Sequence, residues 1–284
     1  LRCSQPISTI LILMMKLCVF GNPIHQSRSP EIHHNFAATC GIKVSYEKCL
    51  VPLDEFEQTV HQFIAEGGNG ANVTVPFKEE ALALCTHLSD RAKAAGAVNT
   101  LSFVKGEIHG DNTDGVGLVN DLLNKGVKLE GVKILVIGAG GAAKGVILPL
   151  LANNPRSITV INRTEEKAER LVAQFNDERL TANGLAFEVS EAFDVVINAT
   201  SASLSKNAIA LPAAAIANCT TCYDMVYSAE QTTFLSYCEQ QGAKQTIDGL
   251  GMLVGQAAES FNIWTGTQPD AEATLSFVRN HIIE

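Results

Sequence analysis

The sequence predicts an α/β fold built from two successive units in which strands alternate with helices. Short apolar runs bounded by Gly and Pro alternate with stretches of helical periodicity. The 284 residues correspond to about two domains of ordinary size. Apolar residues make up 46% of the chain and charged residues 18%, which allows a large core and argues against disorder.

The elements of the first unit follow from apolar runs separated by turn residues. Residues 16–21 are predicted to form a strand that ends at a Gly-Asn-Pro turn. A helix is predicted to start at Ser29-Pro30, because Ser favours the position before a helix and Pro its first position. The later elements are a strand over 44–50, a helix over 53–65, a strand over 71–75, a helix over 79–88 and a hairpin with strands over 98–104 and 107–109.

The second unit starts after an amphipathic helix predicted over 114–125. Its first strand, over 133–137, is an apolar run typical of a parallel strand buried on both faces. The later elements are a helix reaching about 151, a strand over 157–161, a helix over 164–175, strands over 194–198 and 222–225, and an apolar helix over 249–264. We expect this last helix to pack against both units.

Residues 1–13 are predicted to be an extension outside the fold. The apolar run over 7–15 is shorter than the roughly 20 residues that a membrane-spanning helix needs, and no signal-peptide cleavage site follows it. The net charge of −9, from 21 basic and 30 acidic residues, argues against a nucleic acid or a membrane held by bulk electrostatics. An anionic small molecule held by a few local groups stays compatible with it.

Eight cysteines are scattered through apolar and helical stretches of a chain much larger than a disulfide-stapled scaffold. We expect reduced structural thiols and therefore a cytoplasmic protein. Cys219 and Cys222 form a C-x-x-C pair, but the sequence has no second pair to complete a zinc site, so no metal is predicted. Whether these two thiols ever pair is left open.

A dinucleotide-binding turn follows the strand over 133–137, where the chain continues as Gly138-x-Gly140-x-x-Ala143 into a predicted helix. The first glycine allows a tight turn, the second lets the backbone approach a pyrophosphate, and the small third residue lets helix and strand pack. The N–H groups at the helix start favour a phosphate. A plain tight turn is the alternative. The candidate cofactor residues are Gly138, Ala139, Gly140, Gly141 and Ala142.

The end of the next strand distinguishes NADP from NAD. NAD sites place an acid there for the ribose hydroxyls, whereas this chain has Asn162-Arg163-Thr164. Arg163 offers a planar fork for the 2′-phosphate of NADP, Thr164 offers a hydroxyl, and Lys167 adds a second charge. We therefore predict a preference for NADP; a solvated loop arginine is the alternative.

Three polar patches in the first unit follow apolar strands. Ser27 and Ser29 flank a helix start, where hydroxyls can bind a carboxylate, although capping alone also explains a serine there. Lys78 follows the strand over 71–75 and can be partly desolvated, although most lysines are surface charges. Asp114 is either a functional acid or the cap of the next helix.

These patches belong to an ordered series of motifs, and with them the chain resembles the shikimate dehydrogenase family. Members of that family are NADP-dependent enzymes of the shikimate pathway. The resemblance runs from about residue 16 to the carboxyl end. It rests on the blocks Gly21–Pro30, Gly70–Glu80, Gly96–Thr100, Gly110–Gly117, Gly138–Ala142, Asn162–Thr164, Ile197–Ser201, Tyr223–Tyr227 and Asp248–Ala258.

The resemblance implies a reversible, NADPH-dependent reduction of 3-dehydroshikimate to shikimate, a step towards chorismate and the aromatic amino acids. Lys78 would be the general acid/base, paired with Asp114. The substrate would bind Ser27, Ser29, Thr74, Asn99, Asp114, Tyr227 and Gln256. Besides the turn residues, the cofactor would bind Asp90, Asn162, Arg163, Thr164, Lys167, Thr200, Ser201, Met225 and Gly249.

The implied fold class is α/β with two α/β domains, the second a Rossmann-type NADP-binding domain, and an active site in the cleft between them. Residues 14–113 and 250–284 would form a discontinuous substrate-binding catalytic domain, and 114–249 the NADP domain. The alternatives are a quinate/shikimate dehydrogenase that uses NAD and a non-catalytic NADP-binding regulator of the same fold. A homodimer also stays open.

Overall fold

Two six-stranded sheets organise this computed structural model, which describes residues 14–189, 191–202, 211–217 and 219–281. The extension predicted over 1–13 and the last three residues of the predicted discontinuous domain lie outside the described residues. Among the described helices, none is both long and apolar enough to cross a membrane.

The first sheet contains strands β1 (Met15–Gly21), β2 (Val44–Leu50), β3 (Gly70–Val73), β4 (His87–Leu88), β5 (Thr100–Val104) and β6 (Glu107–Asp111). Their order is β2-β1-β3-β5-β6-β4, with β1 parallel to β2 and β3, and with β5 antiparallel to β3 and β6. The helices of this part are α1 (Ser29–Cys40), α2 (Phe56–Ala65), α3 (Lys78–Leu84) and α4 (Asp90–Ala95). An apolar cluster between strands and helices includes Phe20 and the stacked pair Phe56 and Phe77.

The helix predicted over 79–88 is wrong at its carboxyl end. α3 ends at Leu84, Cys85 is extended, and His87 and Leu88 form β4, which pairs in parallel with β6. A strand of two residues is too short to show a periodicity of its own, and Leu88 continues the apolar spacing of the helix before it. The sequence therefore predicted a continuous helix where the structure has a short helix followed by a short strand.

The second sheet contains β7 (Lys133–Ile137), β8 (Ser157–Ile161), β9 (Leu180–Asn183), β10 (Val195–Asn198), β11 (Thr221–Asp224) and β12 (Gln245–Ile247). Their order is β12-β11-β10-β7-β8-β9, and every pairing is parallel. This is the doubly wound order of dinucleotide-binding folds, whose ligand crevice opens where the order reverses, here between β7 and β10. The predicted Rossmann-type unit is confirmed. Its helices are α6 (Gly141–Ala152), α7 (Glu165–Phe175), α8 (Ala213–Ile216) and α9 (Thr233–Gln240).

Three helices join the two sheets: α5 (Asp114–Asn124), α10 (Leu250–Thr265) and α11 (Ala271–His281). α10 approaches α5 closely because a glycine stands on each helix: a Cβ on Gly117 would lie 2.6 Å from the backbone nitrogen of Gln256, and one on Gly255 would lie 3.1 Å from Cα of Gly117. α10 and α11 also share an apolar cluster with α1, in which Phe261 contacts Phe36. The apolar helix predicted over 249–264 therefore contacts both units, as expected.

The seven cysteines among the described residues are free thiols. Cys219 and Cys222 are fully buried, with their Sγ atoms 3.9 Å apart. The hydrogen bond between the two thiols, together with burial, raises the pKa of Cys219. A buried thiol that resists ionisation is a poor nucleophile, which fits the structural role predicted for this pair.

Candidate active site

A cavity of about 440 Å³ opens beside the carboxyl ends of β1 and β3, the start of α1 and one face of α10. Parallel strands of one sheet end at the same edge, so the loops after them converge there. All the substrate-binding residues predicted from the sequence line this cavity, namely Ser27, Ser29, Thr74, Asn99, Asp114, Tyr227 and Gln256. Fold topology therefore gathers positions that are as much as 229 residues apart in sequence.

The two serines lie at the amino end of α1. Ser29 is the first residue of the helix and Arg28 takes the capping position, so the expectation that Ser29 caps the helix is off by one residue. The hydroxyls of Ser27 and Ser29 lie 3.2 Å apart. Arg28 lines the same cavity, 3.6 Å from a carboxylate oxygen of Glu31. Two hydroxyls, a guanidinium and a helix start together suit a carboxylate.

Tyr227 lies on the loop after β11 and lines the same cavity. Burial raises the pKa of its hydroxyl, although the nearby positive charge of Arg28 opposes the shift. The phenol therefore keeps its proton at neutral pH and can donate a hydrogen bond to an anion.

Lys78 and Asp114 form the one ion pair between described residues that both line the cavity. Nζ of Lys78 donates to Oδ2 of Asp114 at 2.5 Å, and the two side chains are 28% and 17% exposed. Each is the first residue of its helix, α3 and α5 respectively, so both side chains project from helix starts at the edge of the cavity. Asp114 makes no side-chain cap for α5, which excludes the capping alternative raised by the sequence.

Asn99 fixes the other oxygen of Asp114. Its Oδ1 accepts hydrogen bonds from the Thr113 backbone N–H and the Thr100 hydroxyl, both at 2.9 Å. With the amide oxygen held in this way, Nδ2 points to Asp114 and donates to its Oδ1 at 2.8 Å. The Asp114 carboxylate thus accepts a hydrogen bond from Asn99 at one oxygen and from Lys78 at the other.

A second cavity, of about 870 Å³, lies over the turn between β7 and α6. Gly138 has a φ of +110°, a conformation that L side chains rarely adopt, and a Cβ on Gly140 would meet nothing within 4 Å. The open space above Gly140 and the free N–H groups at the start of α6 suit a pyrophosphate. The predicted cofactor residues that line it are Gly138, Ala139, Gly140, Gly141, Ala142, Asn162, Thr200, Ser201 and Met225.

The remaining predicted cofactor residues lie outside this second cavity. Arg163 and Thr164 are exposed on the turn between β8 and α7, next in sequence to Asn162, and Lys167 is exposed in the first turn of α7. Gly249 lines the first cavity instead. Asp90 lines neither cavity; it begins α4, where its carboxylate lies 3.3 Å from Nζ of Lys93.

The two cavities meet at the ion pair. Lys78 and Asp114 line both, as does Met225, so a group in either cavity can reach the Lys78 ammonium. The arrangement therefore places the Lys78 ammonium between a cavity that suits an anionic molecule and a cavity that suits a dinucleotide.

Comparison with known proteins agrees with this arrangement. Family models match residues 19–101 as the shikimate dehydrogenase substrate-binding domain, 120–221 as shikimate/quinate 5-dehydrogenase and 249–276 as the shikimate 5′-dehydrogenase C-terminal domain. The shikimate dehydrogenase (NADP(+)) of Colwellia psychrerythraea is 52% identical over 261 residues, which cover 92% of this chain and 95% of the relative. The chain belongs to the shikimate dehydrogenase family.

Solved structures show the same likeness. An Ael1 enzyme from Pseudomonas putida has a TM-score of 0.90 at 39% identity, with 93% of this chain and 97% of that chain covered. The shikimate 5-dehydrogenase of Thermus thermophilus, solved in complex with NADP(H) and shikimate, has a TM-score of 0.85 at 32% identity, with 94% and 99% covered. The fold class and the resemblance predicted from the sequence are thereby confirmed.

In this shikimate dehydrogenase family member, a buried polar network behind the active site was not predicted from the sequence. Asn72, on β3, donates from Nδ2 to the Asn99 carbonyl at 3.1 Å and to the Ser260 hydroxyl at 3.0 Å. Ser260, on α10, also lies 2.8 Å from the Thr100 hydroxyl. Polar residues at buried positions of strands and helices need partners, so Asn72 within an otherwise apolar strand was the available signal.

Proposed function

We propose that Lys78 and Asp114 are the acid/base pair of this chain, which is a shikimate dehydrogenase. The enzyme reduces 3-dehydroshikimate to shikimate with NADPH, and the reaction is reversible. The observation that carries the residue assignment is the position of the ion pair where the two cavities meet. An oxidoreductase that acts on a CH–OH group needs a proton donor there, because the carbonyl oxygen gains negative charge as it is reduced.

On the substrate side, Ser27 and Ser29 at the start of α1 hold the carboxylate, and the neutral Tyr227 hydroxyl lies beside them. Thr74, Asn99 and Gln256 bind the ring hydroxyls. Lys78 donates a proton from Nζ to the developing alkoxide, and Asp114 holds the ammonium in place. Such general acid catalysis typically contributes about 10²–10⁴-fold to the rate.

On the cofactor side, the open turn at Gly138–Ala142 fits the pyrophosphate of NADP, since only glycine leaves that space free. Arg163 and Lys167 supply the charges for the 2′-phosphate, with Asn162 and Thr164 as neighbouring donors. Thr200, Ser201 and Met225 border the crevice where β10 and β11 end. NADPH, when bound, supplies the hydride.

Three further proposals concern the domain division, the cellular location and the oligomeric state. The substrate domain comprises residues 14–113 and 250–284, and the NADP domain comprises residues 114–249. The apolar cluster shared by α1, α10 and α11 supports this division. The free thiols support a cytoplasmic location, because reducing compartments keep thiols unpaired. A homodimer is a further proposal, and light scattering of the purified chain tests it.

The test is a spectrophotometric assay that pairs shikimate or quinate with NADP⁺ or NAD⁺. We expect shikimate with NADP⁺ to be turned over fastest. Comparable turnover of quinate with NAD⁺ would favour the quinate/shikimate alternative, and NADP⁺ binding without any turnover would favour the regulator.

The same assay tests Lys78. Lys78→Ala should lower turnover by at least ~100-fold, the lower end of what a general acid supplies, while NADPH binding by fluorescence titration stays unchanged. Lys125→Ala, at the opposite end of α5 from Asp114, is the matched control and should keep normal turnover. Near-normal turnover in Lys78→Ala would remove Lys78 from its catalytic role.

A further inference from the structure

Three side chains with metal-ligating atoms meet at the β4 edge of the first sheet. His87 on β4 and His109 on β6 are register partners in the parallel pairing of these strands. Glu107 precedes His109 by two residues on β6, so both project from the same face of the strand. Nε2 of His87 lies 3.4 Å and Nε2 of His109 3.3 Å from the same Oε2 of Glu107. None of the three lines either cavity of the active site.

Two of the three separations between these ligand atoms match a zinc ion. Zn²⁺ holds His nitrogen and carboxylate oxygen at about 2.0–2.2 Å in tetrahedral geometry, which places neighbouring ligand atoms roughly 3.3–3.5 Å apart. The two nitrogen-to-oxygen distances fall at that value, and all three ligand atoms lie within 4.8 Å of one another. We propose that His87, Glu107 and His109 bind one Zn²⁺, with water completing the coordination.

Convergence of two imidazoles on one carboxylate oxygen distinguishes this cluster from an ordinary surface pair. His61 and Glu57 on α2 form such a pair, 3.9 Å apart, with one imidazole only. In the cluster, two imidazoles face the same carboxylate oxygen, and the negative charge of that carboxylate offsets part of the charge of a bound cation.

The site has a consequence for the edge of the sheet. β4 is two residues long and pairs only with β6 among the described strands. A metal bound by one side chain from β4 and two from β6 links the two strands in addition to their backbone hydrogen bonds. Zinc should therefore stabilise the folded chain, because a ligand that binds only the folded state shifts the unfolding equilibrium. Turnover should not depend on it.

The test uses the full chain, freed of any affinity tag and treated with EDTA, and titrates it with ZnCl₂ in a calorimeter. We expect one equivalent of Zn²⁺ to bind and the thermal midpoint to rise with Zn²⁺ concentration. His87→Ala and His109→Ala should each weaken Zn²⁺ binding at least ~10-fold, since even the loss of a side chain that only orients a metal ligand typically costs about that much. His61→Ala should leave it unchanged.

Two results would overturn the proposal. One is the absence of Zn²⁺ binding and of any midpoint shift in the unmodified chain. The other is unchanged Zn²⁺ binding in a His87→Ala/His109→Ala double variant, which would show that the ion binds elsewhere on the chain. Shikimate turnover of each variant serves as the folding control, because none of these residues belongs to the active site.

Discussion

His33 is a fully buried imidazole that the fold keeps uncharged. Its ring stacks on Tyr46 at 4.3 Å, and its Nε2 lies 3.2 Å from Oδ1 of Asn72. Nδ2 of Asn72 donates to the carbonyl of Asn99, so Oδ1 is an acceptor and Nε2 must carry the proton. Nδ1 has no hydrogen-bond partner among the described residues. Burial lowers the pKa of His33 from 6.5 to about 3.

The shift makes the stability of the chain depend on pH in a defined direction. Below about pH 6.5 the unfolded chain binds a proton at residue 33 that the folded chain does not bind until about pH 3. The free energy of unfolding therefore falls as the pH drops through this window. Each unit of pKa shift corresponds to about 1.4 kcal/mol, so His33 costs about 2 kcal/mol of stability between pH 7.5 and pH 5.

His33→Phe isolates this contribution. The phenyl ring can keep the stack on Tyr46, and Oδ1 of Asn72 keeps its hydrogen bond from the Tyr46 hydroxyl at 2.7 Å. Urea unfolding of both proteins at about pH 7.5 and about pH 5 should show that the unmodified chain loses about 2 kcal/mol more than the variant. Other titrating groups are common to both proteins and cancel in the comparison. An equal loss in both would show that His33 takes up its proton in the folded state, and the reasoning would be wrong.

Two further predictions concern the cofactor side of the active site. Gly140→Ala should fold normally but bind NADPH at least ~10-fold more weakly, because its methyl group would fill the open space above the turn. Gly138→Ala should instead lower the thermal midpoint of unfolding, because φ at this position is +110° and the new Cβ would lie 2.9 Å from Cγ2 of Thr200. Equal NADPH affinity of Gly140→Ala and the unmodified chain would contradict the first expectation. Arg163→Ala should raise the KM for NADP⁺ at least ~10-fold and leave the KM for NAD⁺ unchanged. Arg170→Ala, on the helix α7 that follows Arg163, is the control and should change neither KM. A parallel rise for both cofactors would show that Arg163 does not read the 2′-phosphate.

Local signals in the sequence predict the cofactor side well. The turn at Gly138–Ala142 joins a strand to a helix within one short segment, so its geometry is encoded by adjacent residues.

The edge strands β9 and β12 were not predicted because their own residues carry no strand pattern. They are four and three residues long and include Thr181, Asn183 and Gln245, so they lack an apolar run. They form because β8 and β11 present unpaired edges to them.

The substrate side depends on contacts that no local pattern records. Lys78 and Asp114 are 36 residues apart and Asn72 and Ser260 are 188 apart, yet each pair is joined by one hydrogen bond. Asp114 alone is compatible with a helix cap, and Ser260 alone with a solvated helix face. Only the contacts of Asp114 with Lys78, and of Ser260 with β3 and β5, decide between these alternatives. The resemblance to a known family was therefore the only route from sequence to the roles of these residues.

The acidic balance of the chain is compatible with an anionic substrate because the charges that line the substrate cavity act over short distances. Of the charged residues that line the substrate cavity, Arg28 and Lys78 are cationic and Asp114 is anionic, so this cavity is locally positive although the net charge of the chain is −9. Asp114 lies 2.5 Å from Lys78 and thus offsets that cation most strongly, which leaves Arg28 and the start of α1 as the groups that face a carboxylate. Charges more than about 10 Å away are largely screened at physiological salt. The negative net charge of the chain therefore slows the approach of the substrate more than it weakens its binding.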